Sequence, residues 1–318
     1  MKNFYICLTF DTDPDPINEK NIDDKNKDIA GWEGLEIGKD RIFKILNKFS
    51  IKNIKIPTSW FVRVDDQIKY YHRKETWLLQ NYSGFWKKIK NQDGCIQWHI
   101  HFNKKFNNEW KLERSKKYII SALRRNFNSI KKYEKNISCV RIGEAYFNKD
   151  INTTLRKLKI KADCSALPGR SRSDGIKLFD WSKCLNQPYF MSKLDYQKKI
   201  SNLNGKKDSL LEIPMNTINT KCSYDKKKIL RYCNLAFKNK IFSKYLNDYI
   251  KHFDTLVTMT HPFEIVKEFK TKENSQLISF SINEFEKNIL SILKLCKLNK
   301  KKPIFININK LVNKIYEL

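Results

Sequence analysis

Several things are missing from this sequence, and each absence narrows what the chain can be. No apolar run approaches the ~20 residues of a membrane-spanning helix, so a transmembrane protein is not expected. A secretory leader is not legible either. "MKNFYICLTF" carries one lysine and turns at once into the acidic "DTDPD", so the expected location is the cytoplasm. There is no C-x-x-C pair. The eight cysteines, from Cys7 to Cys296, are scattered and mostly sit inside apolar runs. That suits buried free thiols better than a disulfide framework or a thiolate zinc site. No internal repeat with a period of roughly 20–50 residues is visible.

Acidic residues are in short supply, 34 against 63 lysines and arginines, for a formal net charge of +29. Such an excess invites nucleic acid as a partner. That reading needs a localised basic arm, and none is present. The lysines are spread along the whole length, only 11 of the 63 basic residues are arginine, and Lys, Asn and Ile crowd the sequence throughout. An AT-rich genome imposes such a bias. Nucleic acid is therefore not the expected partner, while weak attraction to anionic membranes or phosphorylated substrates stays open. Histidine is scarce, five residues in 318, yet two of the five stand one residue apart in "CIQWHIHFN".

What is present describes a folded enzyme-sized chain. Hydrophobic residues make up 41% and aromatics 13%, enough for a sizeable core. "FYICLTF", "KIPTSWFVRV" and "GCIQWHI" read as strands. "GKDRIFKILNKFS", "ETWLLQNYSGFWKKI" and "SKKYIISALRRNFNSIKKY" read as helices, the last with Ile119, Leu123, Phe127 and Ile130 on one face. "ISCVRI", "ADCSA", "LLEIPM" and "TLVTMT" follow as short strands, with helices expected at "NTTLRKLK" and "KKILRYCNLAF". "FEKNILSILKLCKL", "PIFINI" and "NKLVNKIYEL" close the alternation. Strands alternating with helices predict an α/β fold with a mainly parallel sheet, open or closed into a barrel, in one domain over residues 1–318. The irregular stretch from Pro168 to Asp208 is expected as a long loop over the active face.

Polar residues gather at the carboxyl ends of the predicted strands. Asp11 and Asp13 follow the first, Arg63, Asp65 and Asp66 the second, His99 and His101 the third. Arg141 and Glu144 come at the fourth, Asp163 and Ser165 at the fifth, and His261 ends "LVTMT". Parallel strands point their carboxyl ends to one side, where ligands and chemistry collect. Residues i and i+2 of a strand share a face, so His99 with His101, and Asp11 with Asp13, can each address one point. Imidazole nitrogen plus carboxylate oxygen is the donor set of a catalytic zinc-like centre. Read alone, H-x-H also fits two histidines lining a polar barrel mouth. Arg141 with Glu144 also fits a plain ion pair, and Arg63 with Asp65 and Asp66 fits a charged turn. Trp60 and Trp98 are expected in the core, and Trp181 on the long loop as a platform for a sugar ring. Glu212 fits either a pocket acid or the core rim. His72 and His252 are expected on the surface.

The series "LTFDTD", "TSWFV", "WHIHFN", "RIGEAYFN", "ADCSALPGR", "THPFE" resembles the NodB-like polysaccharide deacetylase family of carbohydrate esterases. The resemblance runs from about residue 3 to 265, leaving 266–318 as closing β/α elements. It implies a distorted (β/α) barrel and removal of N-acyl, chiefly N-acetyl, groups from amino sugars. It also implies one divalent metal, zinc first, with cobalt, manganese, iron or nickel also admitted. By the same resemblance Asp11 is the base and Asp13, His99 and His101 are the metal ligands, although the two acids could exchange roles. One residue separates the acids here, where the family has none, and one separates the histidines, where it commonly has three. Arg141 then orients the base, Asp163 lines the pocket, and His261 is the acid. Arg63, Glu144, Ser165 and Trp181 are candidate substrate contacts. A small or lipid-linked amino sugar is the implied substrate. Two other readings stay open: another metal hydrolase of amidohydrolase or phosphoesterase type, and an inactive glycan-binding barrel.

Overall fold

A computed structural model of the chain describes residues 1–16, 31–107, 109–173, 178–201, 206, 208–223, 225–270 and 276–317. In chain order the strands are β1 (Lys2–Asp11), β2 (Thr58–Arg63), β3 (Cys95–Ile100), β4 (Asn103–Phe106) and β5 (Glu109–Leu112). Next come β6 (Cys139–Ile142), β7 (Ala162–Asp163), β8 (Ser171–Ser173), β9 (Leu178–Asp180) and β10 (Tyr189–Phe190). The last are β11 (Leu211–Glu212), β12 (Thr217–Thr220), β13 (Ile229–Tyr232), β14 (Thr255–Thr260) and β15 (Lys301–Phe305). The helices are α1 (Glu33–Ile51), α2 (Asp66–His72), α3 (Trp77–Asn81), α4 (Ser83–Asn91) and α5 (Lys116–Tyr133). They continue with α6 (Lys149–Lys157), α7 (Asn239–His252), α8 (Ile282–Leu298) and α9 (Ile308–Glu317).

The chain forms two compact units and enters each of them twice. The first holds residues 1–57 and 218–306. Here β1 lies between β14 and β15 and is parallel to both. From Cys7 to Asp11 every residue of β1 is buried, which is why the strand reads as a near-continuous apolar run and not an alternating one. Helix α1 buries Gly34, Leu35, Gly38, Ile42, Ile45, Leu46 and Phe49, the three-four spacing of one helical face. Phe10 meets Phe285 of α8 with ring centroids 6.2 Å apart.

The second unit holds residues 58–217 and 307–318. Strands β2, β3, β6, β7 and β11 run side by side and parallel, and β10 closes the row antiparallel to β11. Trp60 and Trp98 are core residues, as expected. Trp60 packs edge-on against Phe85 and Trp86 of α4, and the Trp98 indole donates to the Val64 carbonyl at 3.0 Å. Helix α5 buries Ile119, Leu123 and Ile130, and β4 with β5 forms a separate antiparallel hairpin.

Two expectations change. "KKILRYCNLAF", residues 227–237, is not helical: Ile229–Tyr232 is β13, paired with β12, and the segment after it is buried coil. Its apolar residues fit a helical period as well as a strand; the helix lies further on, where Phe242, Leu246, Tyr249 and Ile250 form the buried face of α7. The stretch from Pro168 to Asp208 is also more ordered than a loop, since it contains the β8–β9 hairpin and β10. Its residues 174–177, 202–205 and 207 lie outside the described residues. All eight cysteines are buried and none forms a disulfide. Among the described residues no helix is long and apolar enough to cross a membrane.

Candidate functional site

In the first unit, register brings the ends of two strands together. Phe10 pairs with Thr260, so Asp11 and His261 are the next residues on adjacent parallel strands. Asp11 is buried, and two residues on, Asp13 Oδ2 lies 3.1 Å from His261 Nε2. The other side of His261 is held by Glu264. Its carboxylate accepts from the His261 backbone N–H at 2.8 Å and lies 3.5 Å from Nδ1. Asn234 fixes Glu264 in turn with a 2.9 Å bond. Burial works against a charged imidazole here, but Glu264 and the bond to Asp13 outweigh it and raise the His261 pKa well above the usual range. Helix α1 seats this turn. A β-carbon on Gly38 would fall 2.3 Å from the Pro262 carbonyl oxygen, and one on Gly34 would fall 2.4 Å from Phe263 Cβ. Asp15 accepts from the Gly34 N–H at 3.0 Å near the start of α1, and burial raises its pKa to about 6.

In the second unit three polar residues form a row across the sheet: Arg63 pairs with His99, and His99 with Arg141. His99 Nδ1 lies 2.8 Å from the Arg141 carbonyl oxygen. A carbonyl only accepts, so Nδ1 carries the hydrogen and the Nε2 lone pair is left for a ligand. His101 Nε2 stands 3.1 Å from His99 Nε2. Two imidazoles bound at about 2.0–2.1 Å to one tetrahedral ion would hold their nitrogens about 3.3 Å apart, so the pair fits a shared metal. The ring of His101 occupies space that only a glycine at 143 leaves open. After Gly143, Glu144 and Ala145 take φ of 59° and 52°, a left-handed step that ordinary residues avoid. Sequence alone assigns no role to Gly143 or Glu264. Their only signals were a glycine two residues after Arg141 and an acid three residues after His261.

Several candidate contacts are engaged inside the protein. Arg63 is buried and gives Nε to Asp65 at 2.6 Å and a second donor to Gln67 at 2.8 Å. Asp65 also accepts from the His101 backbone N–H at 3.1 Å. Burial resists the charge on Asp65, but Arg63 outweighs it and holds the carboxyl below the ordinary range. Arg63 thus supports the backbone of a histidine and is not a free hand for substrate. Ser165 is fully buried; its hydroxyl accepts from the Ile142 N–H and donates to Asp163 Oδ1, both at 2.7 Å. It ties β6 to the segment after β7 and has no surface to offer a ligand. Trp181 is corrected most plainly. It is 0% exposed, donates its indole N–H to the Ala145 carbonyl at 2.9 Å and packs on Phe147 and Tyr196. A ring without an open face cannot stack on a sugar. Glu144 is half-buried.

Arg141 donates Nε to the Cys164 carbonyl at 2.9 Å, and its guanidinium sits 4.0 Å over the Phe61 ring. Asp163 pairs across the sheet with Glu212, and both are fully buried. Burial raises both pKa values, most strongly for Glu212, which also feels the Asp163 charge. Glu212 is fully buried and accepts from the Ala166 N–H at 3.1 Å. The carboxylates at His261 are Asp13 and Glu264, whereas Asp163 is engaged with Ser165 and Glu212.

No family model and no curated protein matches this sequence. Solved structures do. A protein from Mycobacterium smegmatis assigned as a polysaccharide deacetylase matches 99% of this chain over 91% of its own, with a TM-score of 0.54 at 11% identity. One from Parabacteroides distasonis assigned as a glycoside hydrolase/deacetylase matches 99% of this chain over 71% of its own, with 0.56 at 10%. Puue allantoinase matches 98% over 90%, with 0.52 at 9%. At these identities the likeness is one of fold. The fold is the α/β class expected, of the distorted (β/α)-barrel type shared with deacetylases.

Proposed function

We propose that this chain is a metal-dependent hydrolase that removes an N-acyl group, in the first instance N-acetyl, from an amino sugar. Asp13, His99 and His101 are the proposed ligands of one divalent ion, with zinc first by donor type. The observation that carries the reading is the pair of Nε2 atoms 3.1 Å apart, one of them fixed in its tautomer by the Arg141 carbonyl.

A divalent ion held by these residues would supply Lewis-acid polarisation of the amide carbonyl and a lowered pKa of the attacking water. Asp11, buried at the end of β1, accepts the proton of that water. His261, held between Asp13 and Glu264, gives a proton to the departing amine, which is a poor leaving group without it. Arg141 positions His99 through its carbonyl, and Asp163 lines the sheet beside it. Half-buried Glu144 is the remaining candidate substrate contact. In the cytoplasm such an enzyme would meet nucleotide- or lipid-linked sugar precursors and not an assembled polymer.

The fold likeness to an allantoinase supports a second reading, hydrolysis of an amide that is not part of a sugar. One experiment separates the two. Purified protein is given a panel of N-acetylated amino sugars, free, nucleotide-linked and lipid-linked, plus allantoin, with and without prior chelation. Chelator-sensitive acetate release from a sugar supports the first reading. Turnover of allantoin alone supports the second, and no turnover of any compound removes both.

A further inference from the structure

We propose that the β4–β5 hairpin, with Tyr70 and the N-terminal part of α5, is a docking surface for an anionic phospholipid membrane. The hairpin begins two residues after His101. Its burial alternates along both strands. Lys105 and Trp110 are half-buried on one face, where Trp110 meets Tyr70 and Tyr71 of α2 at ring distances of 5.4 and 5.7 Å. Lys104, Phe106 and Lys111 stand on the other face and are exposed.

Two large aromatics are left open, Tyr70 at 49% on the face of Lys105 and Phe106 at 41% on the face of Lys104. Each carries an ammonium group over its ring: Lys105 Nζ lies 4.7 Å from the centre of Tyr70, and Lys104 Nζ 5.4 Å from that of Phe106. An exposed phenylalanine costs free energy in water and gains it at the headgroup level of a bilayer, where lysine stems extend to the phosphates. Aromatic side chains set among lysines therefore fit a lipid surface better than a dissolved polyanion.

The charge has the matching sign. Residues 103–117 contain six basic and two acidic side chains, an excess of four. Both acids are engaged: Glu109 pairs with Lys111 at 2.9 Å, and Glu113 accepts from the Ser115 N–H at 2.8 Å. Helix α5 continues the same surface, because the Tyr118 hydroxyl donates to the Asn103 carbonyl at 3.3 Å and to Asp66 at 2.9 Å. On either side of Tyr118, Lys116, Lys117, Ile120 and Arg124 line an open groove of about 800 Å³. Its walls are basic with one apolar side chain, which suits a phospholipid headgroup. Docking does not require the hydrolase reading. Only its use, to present a lipid-linked amino sugar, rests on that reading.

The test is sedimentation of the full chain with vesicles of phosphatidylcholine alone or with roughly one third phosphatidylglycerol, at about 0.1 M and about 1 M salt. No metal or turnover is needed, so its outcome is independent of the activity assay. The full chain is expected to sediment at least about tenfold better with the anionic vesicles, and high salt should release it. The triple variant Lys104→Ser/Phe106→Ser/Lys117→Ser should lose that gain. Lys294→Ser/Lys297→Ser, which removes the same charge from α8, should keep it. Thermal melts confirm that both variants fold. Equal loss in the two variants would assign the effect to net charge and overturn the proposal. So would an absence of vesicle binding, or hairpin-dependent binding to a single-stranded RNA in its place.

Discussion

Gly143 and His101 compete for one space: a β-carbon at 143 would lie 2.1 Å from the imidazole Cδ2 and 2.2 Å from its Nε2. The glycine is what lets the His101 ring approach that of His99. Gly143→Ala must turn the ring away or shift the strand end. It is expected to weaken divalent-metal affinity by about 10–100-fold, the range seen when a ligand's support is disturbed. Isothermal titration with zinc checks this, with circular dichroism to show that the variant is folded.

The Asp163–Glu212 pair gives a pH prediction. Glu212 Oε2 has no protein donor among the described residues, and the two acids are buried on paired strands, so the pair is expected to share one proton. Both folded-state pKa values are raised, so the folded chain binds more protons than the unfolded one above the ordinary carboxylate range. Stability is fully present below the unfolded pKa values. It falls as pH rises towards the folded ones, by about 1.4 kcal/mol per pH unit for each group releasing a proton. Glu212→Gln keeps the shape and supplies a permanent N–H donor. Its urea midpoint should fall less than that of the native chain between pH 5 and 8, and parallel curves would contradict the shared proton.

Arg63 and Asp65 form a buried ion pair at 2.6 Å, and Asp65 holds the His101 backbone. Arg63→Met leaves a carboxylate buried without its cation. A loss of about 3–5 kcal/mol in unfolding free energy is expected by denaturant titration. A change confined to KM, with stability intact, would return Arg63 to the substrate.

Trp181 is a packing residue by its burial and its bond to Ala145. Trp181→Ala is expected to cost about 3–5 kcal/mol of stability. The milder Trp181→Phe should leave KM for any active sugar unchanged. A rise in KM with unaltered stability would restore the sugar platform.

Much of the candidate site was legible because parallel strands end on one side. A polar residue after each apolar run marks that side, which is how Arg63, His99 and Arg141 fall in one row. The partners of those residues were not legible, since they depend on register and on chain segments far apart. Glu264 reaches His261 through a short 3-10 turn, and Gly143 matters only because β6 lies beside β3. The burial of Trp181 is not legible, since sequence shows an irregular segment but not that it folds back under Ala145. The apolar density of 227–237 suits either a helix or a strand, and pairing with β12 decides for the strand.

The proposed chemistry depends on one cation shared by a carboxylate and two imidazoles distant in sequence. Metal content is the decisive measurement, made on the purified chain and on Asp13→Ala, His99→Ala and His101→Ala. Close to one divalent ion per native chain and almost none in each folded variant is expected. A native chain that holds no divalent ion when zinc is supplied, or variants that keep theirs, would rule out the shared cation.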